Sequence, residues 1–171
     1  YIIGGFKIYI GDILFDCSVL KQLQRLKKQM TNSGIAIRLD LDPTLSMIKV
    51  RSREIQQVFM NILSNARYAL DIKFKNPNKD KILEINGYAV EVTEKEFVRV
   101  IFRDNGAGIP LEIIDKICNP FFTTKPKGEG TGLELSISHG IIKSHGGNIA
   151  FQSVPGEYSI VIVDFPVDKS S

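Results

Sequence analysis

The chain has 171 residues, of which 43% are hydrophobic and 24% charged, and these values suit one soluble domain with a substantial core. Its net charge of +3 is too small and too evenly spread to indicate a nucleic-acid-binding surface. Cys17 and Cys118 form no Cys-x-x-Cys pair, and no apolar run approaches the length of a membrane span. We therefore expect a monomeric, cytoplasmic protein with inert thiols and no nucleic-acid partner.

Helices and strands are mixed along the chain. The first half of the chain predicts a strand at residues 6–10, a helix at 12–31, a strand at 35–41 and a helix at 52–72 with Ser52 as its N-cap. Strands at 82–92 and 97–103 follow, joined by a turn at 93–96. The last part predicts a short helix at 111–117, a longer one at 132–144 and a closing hairpin of strands at 149–154 and 158–165. Because most strand connections are hairpins, we predict an α+β fold with helices on one face of a mostly antiparallel sheet.

Two asparagines stand in the middle of the predicted helix 52–72. Asn61 and Asn65 are four residues apart, so they share one side of that helix. Asn is a mediocre helix former, because its side chain competes for neighbouring backbone groups. The pair is interpreted either as polar border residues bonded to nearby loops or as ligands facing a metal ion held by phosphates. Mg²⁺ keeps several waters, so one carboxamide oxygen can suffice.

A glycine-rich turn follows the predicted strand 97–103. It reads Asp-Asn-Gly-Ala-Gly-Ile-Pro over residues 104–110. Gly106 and Gly108 allow a tight turn and a close approach of the backbone to a ligand. Asp104 is expected to be partly buried and to need a hydrogen-bond donor, for which the exocyclic amine of adenine is suitable. The alternative is an ordinary Asp-Asn-Gly turn, which is common.

A second group of glycines precedes the predicted helix 132–144. Gly130 and Gly132 leave backbone N–H groups exposed at the start of a helix, where the helix dipole attracts an anion. Thr124 and Lys125 stand just upstream. This combination favours a phosphate-binding loop over a plain flexible loop.

These segments occur in an order and spacing typical of one family. The chain resembles the catalytic domain of histidine kinases in the asparagine box at residues 57–66, the first glycine box at 104–110, the phenylalanine box at 119–125, the second glycine box at 128–135 and the helix-to-strand ending at 144–149. The likeness extends over residues 34–166 and places the chain in the superfamily of gyrase, the ninety-kilodalton heat-shock chaperone and MutL. It implies one ATP-binding domain over residues 1–171, with the Bergerat-type fold of a two-layer α/β sandwich.

The resemblance also implies roles for individual residues. Asn65 would coordinate Mg²⁺, with Asn61 beside the same ion and Lys125 at the phosphates. Asp104 would bind the adenine amine together with a water shared by Ser159, which stands where the family usually has Thr. The other expected nucleotide contacts, in the base pocket or in the lid over the triphosphate, are Gly106, Gly108, Ile109, Phe121, Thr124, Gly130, Thr131, Gly132 and Leu133.

The implied activity is transfer of the γ-phosphoryl group of Mg-ATP to a histidine on a separate dimerisation and phosphoacceptor domain. That kinase would signal to the receiver domain of a response regulator, and this chain would be the cytosolic part of a larger sensor. Where hydrolase members of the superfamily carry Glu, this chain has Asn61, which is a poor general base, so we expect slow ATP hydrolysis. Neither His139 nor His145 is followed by an acidic residue, so the acceptor histidine is expected outside this chain.

The second glycine box departs from the family pattern at Glu134, where glycine is usual. A carboxylate about 6 Å from a phosphate charge would cost roughly 3 kcal/mol at an effective dielectric of about 20, so we expect weakened nucleotide binding. An alternative function is therefore a catalytically weak nucleotide-binding or regulatory module of the same fold. A serine kinase of the anti-sigma type is disfavoured by the phenylalanine box.

Overall fold

A computed structural model of the chain describes residues 28, 30–46, 48–75, 80–126 and 128–167. The predicted strand 6–10 and most of the predicted helix 12–31 lie outside these residues. The end of that helix is described: residues 30–32 are helical, and the N–H groups of Ser33 and Gly34 bond the carbonyls of Met30 and Thr31. Met30 is buried, so this last helical turn packs into the core.

Among the residues that the structure describes, five strands form one sheet: β1 (Ala36–Leu41), β2 (Ile82–Val92), β3 (Lys95–Asp104), β4 (Asn148–Val154) and β5 (Tyr158–Pro166). Their spatial order is β1-β2-β3-β5-β4. β1 pairs with β2 in parallel, and the other three pairings are antiparallel. The predicted mixed, mostly antiparallel sheet is confirmed.

Besides the helical residues 30–32, the described part of the chain contains two α-helices and one short 3₁₀ helix: α1 (Ser52–Lys73), the 3₁₀ helix (Leu111–Lys116) and α2 (Glu134–Ser144). The apolar stripe that predicted α1 is the face that it buries, comprising Ile55, Val58, Ile62, Ala66 and Leu70. This face packs on one side of the sheet, where the rings of Phe59 and Phe102 meet edge to face with centroids 5.2 Å apart. The α+β class, with helices on the sheet, is therefore confirmed.

The opposite face of the sheet carries charged side chains in cross-strand pairs. Arg99 on β3 lies directly opposite Asp164 on β5 and donates two hydrogen bonds to its carboxylate, at 2.7 and 2.9 Å. Since Asp164 is buried, this bidentate pair ties β3 to β5. None of the described helices is long and apolar enough to cross a membrane.

The structure corrects two predicted helix starts. Ser52 is the first residue of α1 and not its N-cap; Arg51 holds that position and has no side-chain capping bond. α2 begins at Glu134 and not at Gly132, because Gly132 has a φ of +68° that a right-handed helix cannot accommodate.

The turn between β2 and β3 is also shorter than predicted. Val92 pairs with Lys95, so Thr93 and Glu94 alone form the turn. Both have positive φ, at 47° and 62°. This is the conformation of a two-residue hairpin turn that matches strand twist, although Thr and Glu adopt it at a conformational cost.

The predicted end of α2 is confirmed in detail. The N–H of Gly146 bonds the carbonyl of Lys143, and the N–H of Gly147 bonds the carbonyl of Ile142. This pattern satisfies the last carbonyls of the helix and turns the chain into β4.

Candidate functional site

A cavity of about 180 Å³ lies between α1, the end of β3 and residues 122–135. Its walls are mostly apolar and also include side chains of β4 and β5. Apolar lining residues include Ala66, Ala69 and Ile72 from α1, Phe102 from β3, and Phe151 and Val161 from β4 and β5. An apolar cleft with a few polar groups is the usual form of a small-molecule site.

Asp104 is the buried carboxylate of this cavity. It is the last residue of β3, its side chain is 5% exposed, and it lines the cavity. Burial raises its pKa to about 6, against smaller lowering contributions from the Gly106 N–H, which bonds Oδ1 at 2.9 Å, and from nearby cations. Near neutral pH it is therefore mostly an ionised acceptor with little access to water.

Ser159 lies directly beside this carboxylate. The register of β3 and β5 pairs Asp104 with Ser159, and both side chains are buried and line the cavity. A hydroxyl next to a carboxylate can share a bound water or a ligand donor with it.

The two glycines of the turn after β3 are required by close approaches. A Cβ on Gly106 would lie 2.6 Å from both the backbone of Ala69 and Oδ1 of Asp104. Gly108 has a φ of +70°, and its Cβ would overlap the backbone carbonyl of Val154. Side chains are thus excluded where the turn passes between α1 and the β4–β5 hairpin.

Hydrogen bonds fix this turn on both sides. The Ala107 N–H donates to the carbonyl of Ala69 on α1 at 3.0 Å, and the Ala107 carbonyl accepts the Gly156 N–H at 2.7 Å. The Ile109 N–H donates to Oγ of Ser153 at 2.7 Å. The part of the cavity wall formed by this turn is therefore a rigid part of the fold.

Asn65 and Lys125 meet at the other end of the cavity. The Lys125 ammonium donates to Oδ1 of Asn65 at 2.8 Å and lies 5.0 Å from the ring centroid of Tyr68. All three residues line the cavity. The predicted ligand oxygen and the predicted phosphate-binding cation are thus paired with each other.

Asn61 has a different environment from Asn65. Its Nδ2 donates to the Glu134 carbonyl at 2.9 Å and to Oγ of Ser138 at 3.0 Å, so it joins α1 to the first turn of α2. It does not line the cavity. Of the two interpretations of the asparagine pair, the one as a polar residue bonded to a neighbouring segment agrees with these contacts of Asn61.

The predicted lid residues divide into two groups. Thr124, Lys125 and Gly132 line the cavity, together with Gly108 and Ile109 from the turn after β3. Gly106, Phe121, Gly130, Thr131 and Leu133 do not line it. Phe121 is 76% exposed and has a φ of +66°.

A sequence profile of one family matches this chain over residues 50–169. It describes the "Histidine kinase-, DNA gyrase B-, and HSP90-like ATPase". The match covers well over half of the chain and includes α1, Asp104 and residues 122–135. The chain belongs to this family. A profile of the ATP synthase delta (OSCP) subunit matches residues 1–30 alone, mostly outside the described residues.

Curated relatives of this ATPase domain include sensor kinase CckA of Brucella abortus, 33% identical over 150 residues, and the histidine-protein kinase AtoS of Escherichia coli, 34% identical over 140 residues. The matched segments cover 85% and 80% of this chain, but only 16% and 21% of those proteins. The chain thus spans a small part of the length of these relatives.

Solved structures share the fold of this domain. The catalytic domain of histidine kinase ThkA, in a nucleotide-free form, has a TM-score of 0.69 at 26% identity and covers 90% of this chain and 93% of its own. Full-length ShkA in complex with AMPPNP has a TM-score of 0.70 at 17% identity and covers 98% of this chain and 33% of its own. The two-layer architecture is that of histidine kinase catalytic domains.

Glu134, the departure from the family pattern, lies in the cavity of this ATPase domain. Its carboxylate turns back toward the loop before α2 and accepts the Thr131 N–H at a long 3.5 Å. Partial burial raises the pKa of Glu134, but hydrogen bonds from its own N–H and from Thr131, with the charge of Lys125, outweigh burial and lower it. The side chain is therefore an anion inside the site.

Several residues that line the cavity were not predicted from the sequence. Tyr68, Ala69 and Ile72 follow Asn65 at spacings of three, four and seven, so helical periodicity could have indicated them. Phe122 lines the cavity where Phe121 was expected. No periodic signal distinguishes these adjacent phenylalanines, because they lie outside regular helix or strand.

The residues of the cavity provide only part of the ligands that a magnesium ion needs. Among the residues that the structure describes, no group of three His, Cys, Asp or Glu side chains could hold a metal. Asn65 offers one carboxamide oxygen at the cavity wall. Mg²⁺ accepts one or two protein ligands when phosphates and waters complete its shell, so this arrangement fits a metal that arrives with a nucleotide.

Proposed function

We propose that this domain binds Mg-ATP in the cavity and donates the γ-phosphoryl group to a histidine on a separate phosphoacceptor and dimerisation domain of a sensor kinase. That kinase would pass the phosphoryl group to the receiver domain of a response regulator. The observation that carries this proposal is the buried Asp104 carboxylate in the wall of the cavity, beside two glycines that admit no side chain.

The base end favours adenine for an electrostatic reason. Asp104 accepts hydrogen bonds when ionised, and adenine presents an amino group where guanine presents a carbonyl oxygen. A carbonyl facing a buried carboxylate would leave both acceptors unpaired, at a cost of about 1–3 kcal/mol or more. The apolar walls formed by Ala69, Ile72 and Phe102 suit the faces of a planar ring.

The phosphate end of the cavity, formed by Asn65, Thr124 and Lys125, must exchange hydrogen-bond partners when a nucleotide binds. Lys125 would release Oδ1 of Asn65 and place its ammonium on the phosphates, and the freed Asn65 oxygen would then be available to the metal. Mg²⁺, when bound with the nucleotide, supplies neutralisation of the phosphate charge. Thr124 at the cavity wall adds a hydroxyl donor. These residues position the nucleotide and stabilise charge, which is most of what phosphoryl transfer requires.

The side chain of Asn61 also explains why water would not take the phosphoryl group before transfer. Asn61 has its amide nitrogen fixed by α2 and offers no basic group. A carboxamide cannot accept a proton from water near neutral pH, so hydrolysis before transfer is slow.

Radiolabelled ATP tests this proposal. The chain is mixed with the phosphoacceptor domain of its own full-length protein, and label on that domain is measured over time, in parallel with calorimetric binding of ATP. We expect transfer by the native chain and none by Asp104→Ala, with Asp115→Ala as an exposed control of the same chemical change. ATP binding without transfer would contradict the kinase activity and favour a binding module.

A further inference from the structure

The first turn of α2 already contains an anion. A helix N-terminus presents N–H groups without helical partners, and the helix dipole makes this end attractive to negative charge. In this chain the Glu134 carboxylate fills that role, since it accepts hydrogen bonds from Thr131 and from its own N–H and is stabilised by Lys125. The same groups are the ones that would bind phosphates under the proposed function.

The carboxylate is held loosely enough to be displaced. Its bond to the Thr131 N–H is 3.5 Å long, at the outer limit for a hydrogen bond, and the residue is only partly buried. Lys125, which would neutralise it most directly, is bonded to Asn65. A nucleotide phosphate that enters must therefore push Glu134 toward solvent or lie next to its negative charge.

We propose that Glu134 is a specificity-determining residue that makes this site discriminate against nucleotides according to their phosphate charge. This proposal rests on the proposed nucleotide-binding function. The base end, built around Asp104, is separate from Glu134 and holds adenosine without interference. Each added phosphate charge meets the Glu134 carboxylate, so the affinity gained from adenosine to ATP is smaller than Lys125 and the helix N-terminus would otherwise provide.

Coulomb repulsion between the Glu134 carboxylate and a phosphate sets the size of the effect. Two unit charges about 6 Å apart in an effective dielectric of about 20 repel by an amount equal to roughly a hundredfold in affinity. Outward rotation of the side chain and screening by salt, with a Debye length of about 8 Å at physiological ionic strength, reduce this value. We expect about a tenfold effect at low salt.

Calorimetric titration of three proteins tests the proposal. The native chain, Glu134→Gln and Glu112→Gln are each titrated with adenosine and with ATP, with and without Mg²⁺, at low and high salt. Glu112→Gln is the matched control, because it removes the same charge from an exposed residue that does not line the cavity. Thermal melting establishes that all three are folded.

Glu134→Gln is expected to raise ATP affinity about tenfold at low salt, with a smaller gain at high salt because of screening. Its adenosine affinity should stay within about twofold of the native value, since Asp104 is unaffected. Glu112→Gln should change neither. Unchanged ATP affinity in Glu134→Gln, or an equal gain in Glu112→Gln, would overturn the proposal. A loss of ATP affinity in Glu134→Gln that occurs only in the presence of Mg²⁺ would also overturn it, because Glu134 would then be a metal ligand. If the native chain and Glu134→Gln bound neither adenosine nor ATP, the proposed function itself would fail.

Discussion

Replacement of Asp104 by Asn should stabilise the nucleotide-free domain while it removes nucleotide binding. Asp104 is 5% exposed, and burial raises its pKa from 3.8 to about 6. The folded chain therefore holds an ionised carboxylate in a place that disfavours its charge. Asn keeps an acceptor oxygen for the Gly106 N–H but carries no charge, so the cost of burial falls.

The size of this effect follows from the two pKa values. They differ by about 2 units, and each unit corresponds to 1.36 kcal/mol, which gives about 3 kcal/mol. Because the folded pKa is the higher one, the unfolded chain loses its proton first as pH rises, and the folded state is progressively destabilised between pH 3.8 and about 6. The Asn variant should gain the full amount above that window and almost nothing below it.

Urea unfolding of both proteins, followed by circular dichroism at pH 7.5 and at pH 4, measures the difference. We expect Asp104→Asn to be more stable by about 3 kcal/mol at the higher pH and nearly equal at the lower. Adenosine should raise the melting temperature of the native chain and leave that of the variant unchanged. A variant less stable than the native chain at pH 7.5, or one with a pH-independent gain, would refute the reasoning.

Three further substitutions test other contacts. Gly108→Ala should lower the free energy of unfolding by about 1–3 kcal/mol and weaken adenosine binding, as measured by urea unfolding and calorimetry, because its Cβ would overlap a backbone carbonyl at positive φ. Arg99→Leu should cost about 2 kcal/mol in urea unfolding, since it leaves the buried Asp164 carboxylate without its bidentate donor. Ser138→Ala should cost about 1 kcal/mol by the same measurement, because it removes the hydroxyl that accepts from Asn61, and its adenosine affinity should stay native. An unchanged unfolding midpoint would contradict each of them.

The helices and strands that could be predicted from the sequence are those whose burial is periodic. The stripe through α1 identifies its buried face, and the alternation in β1 identifies its half-buried face. The type and extent of both elements therefore agree with the structure to within one or two residues. The turn at Thr93 and Glu94 could not be predicted in the same way. Neither residue is a usual choice at positive φ, and the two-residue turn follows from strand pairing on both sides.

The site shows a similar division. Asp104 and its glycines could be identified because a buried carboxylate and residues without side chains are chemically unusual at a strand end. The pairing of Lys125 with Asn65 could not, because these residues are 60 positions apart and nothing local records their contact. The backbone of Phe121 likewise packs where a side chain on Gly132 would lie, and no local pattern in the sequence indicates this contact.

The two ends of the cavity therefore differ in how much they must change when a nucleotide binds. The base end is held by strand pairing and by backbone hydrogen bonds on both sides of Ala107, so it costs little further ordering. The phosphate end consists of side chains that satisfy one another: Lys125 on Asn65, and Glu134 on the start of α2. Phosphates must break these contacts before they gain their own. Adenosine should thus bind to a largely preformed site, and the triphosphate should contribute the part of the affinity that depends on salt and on Glu134.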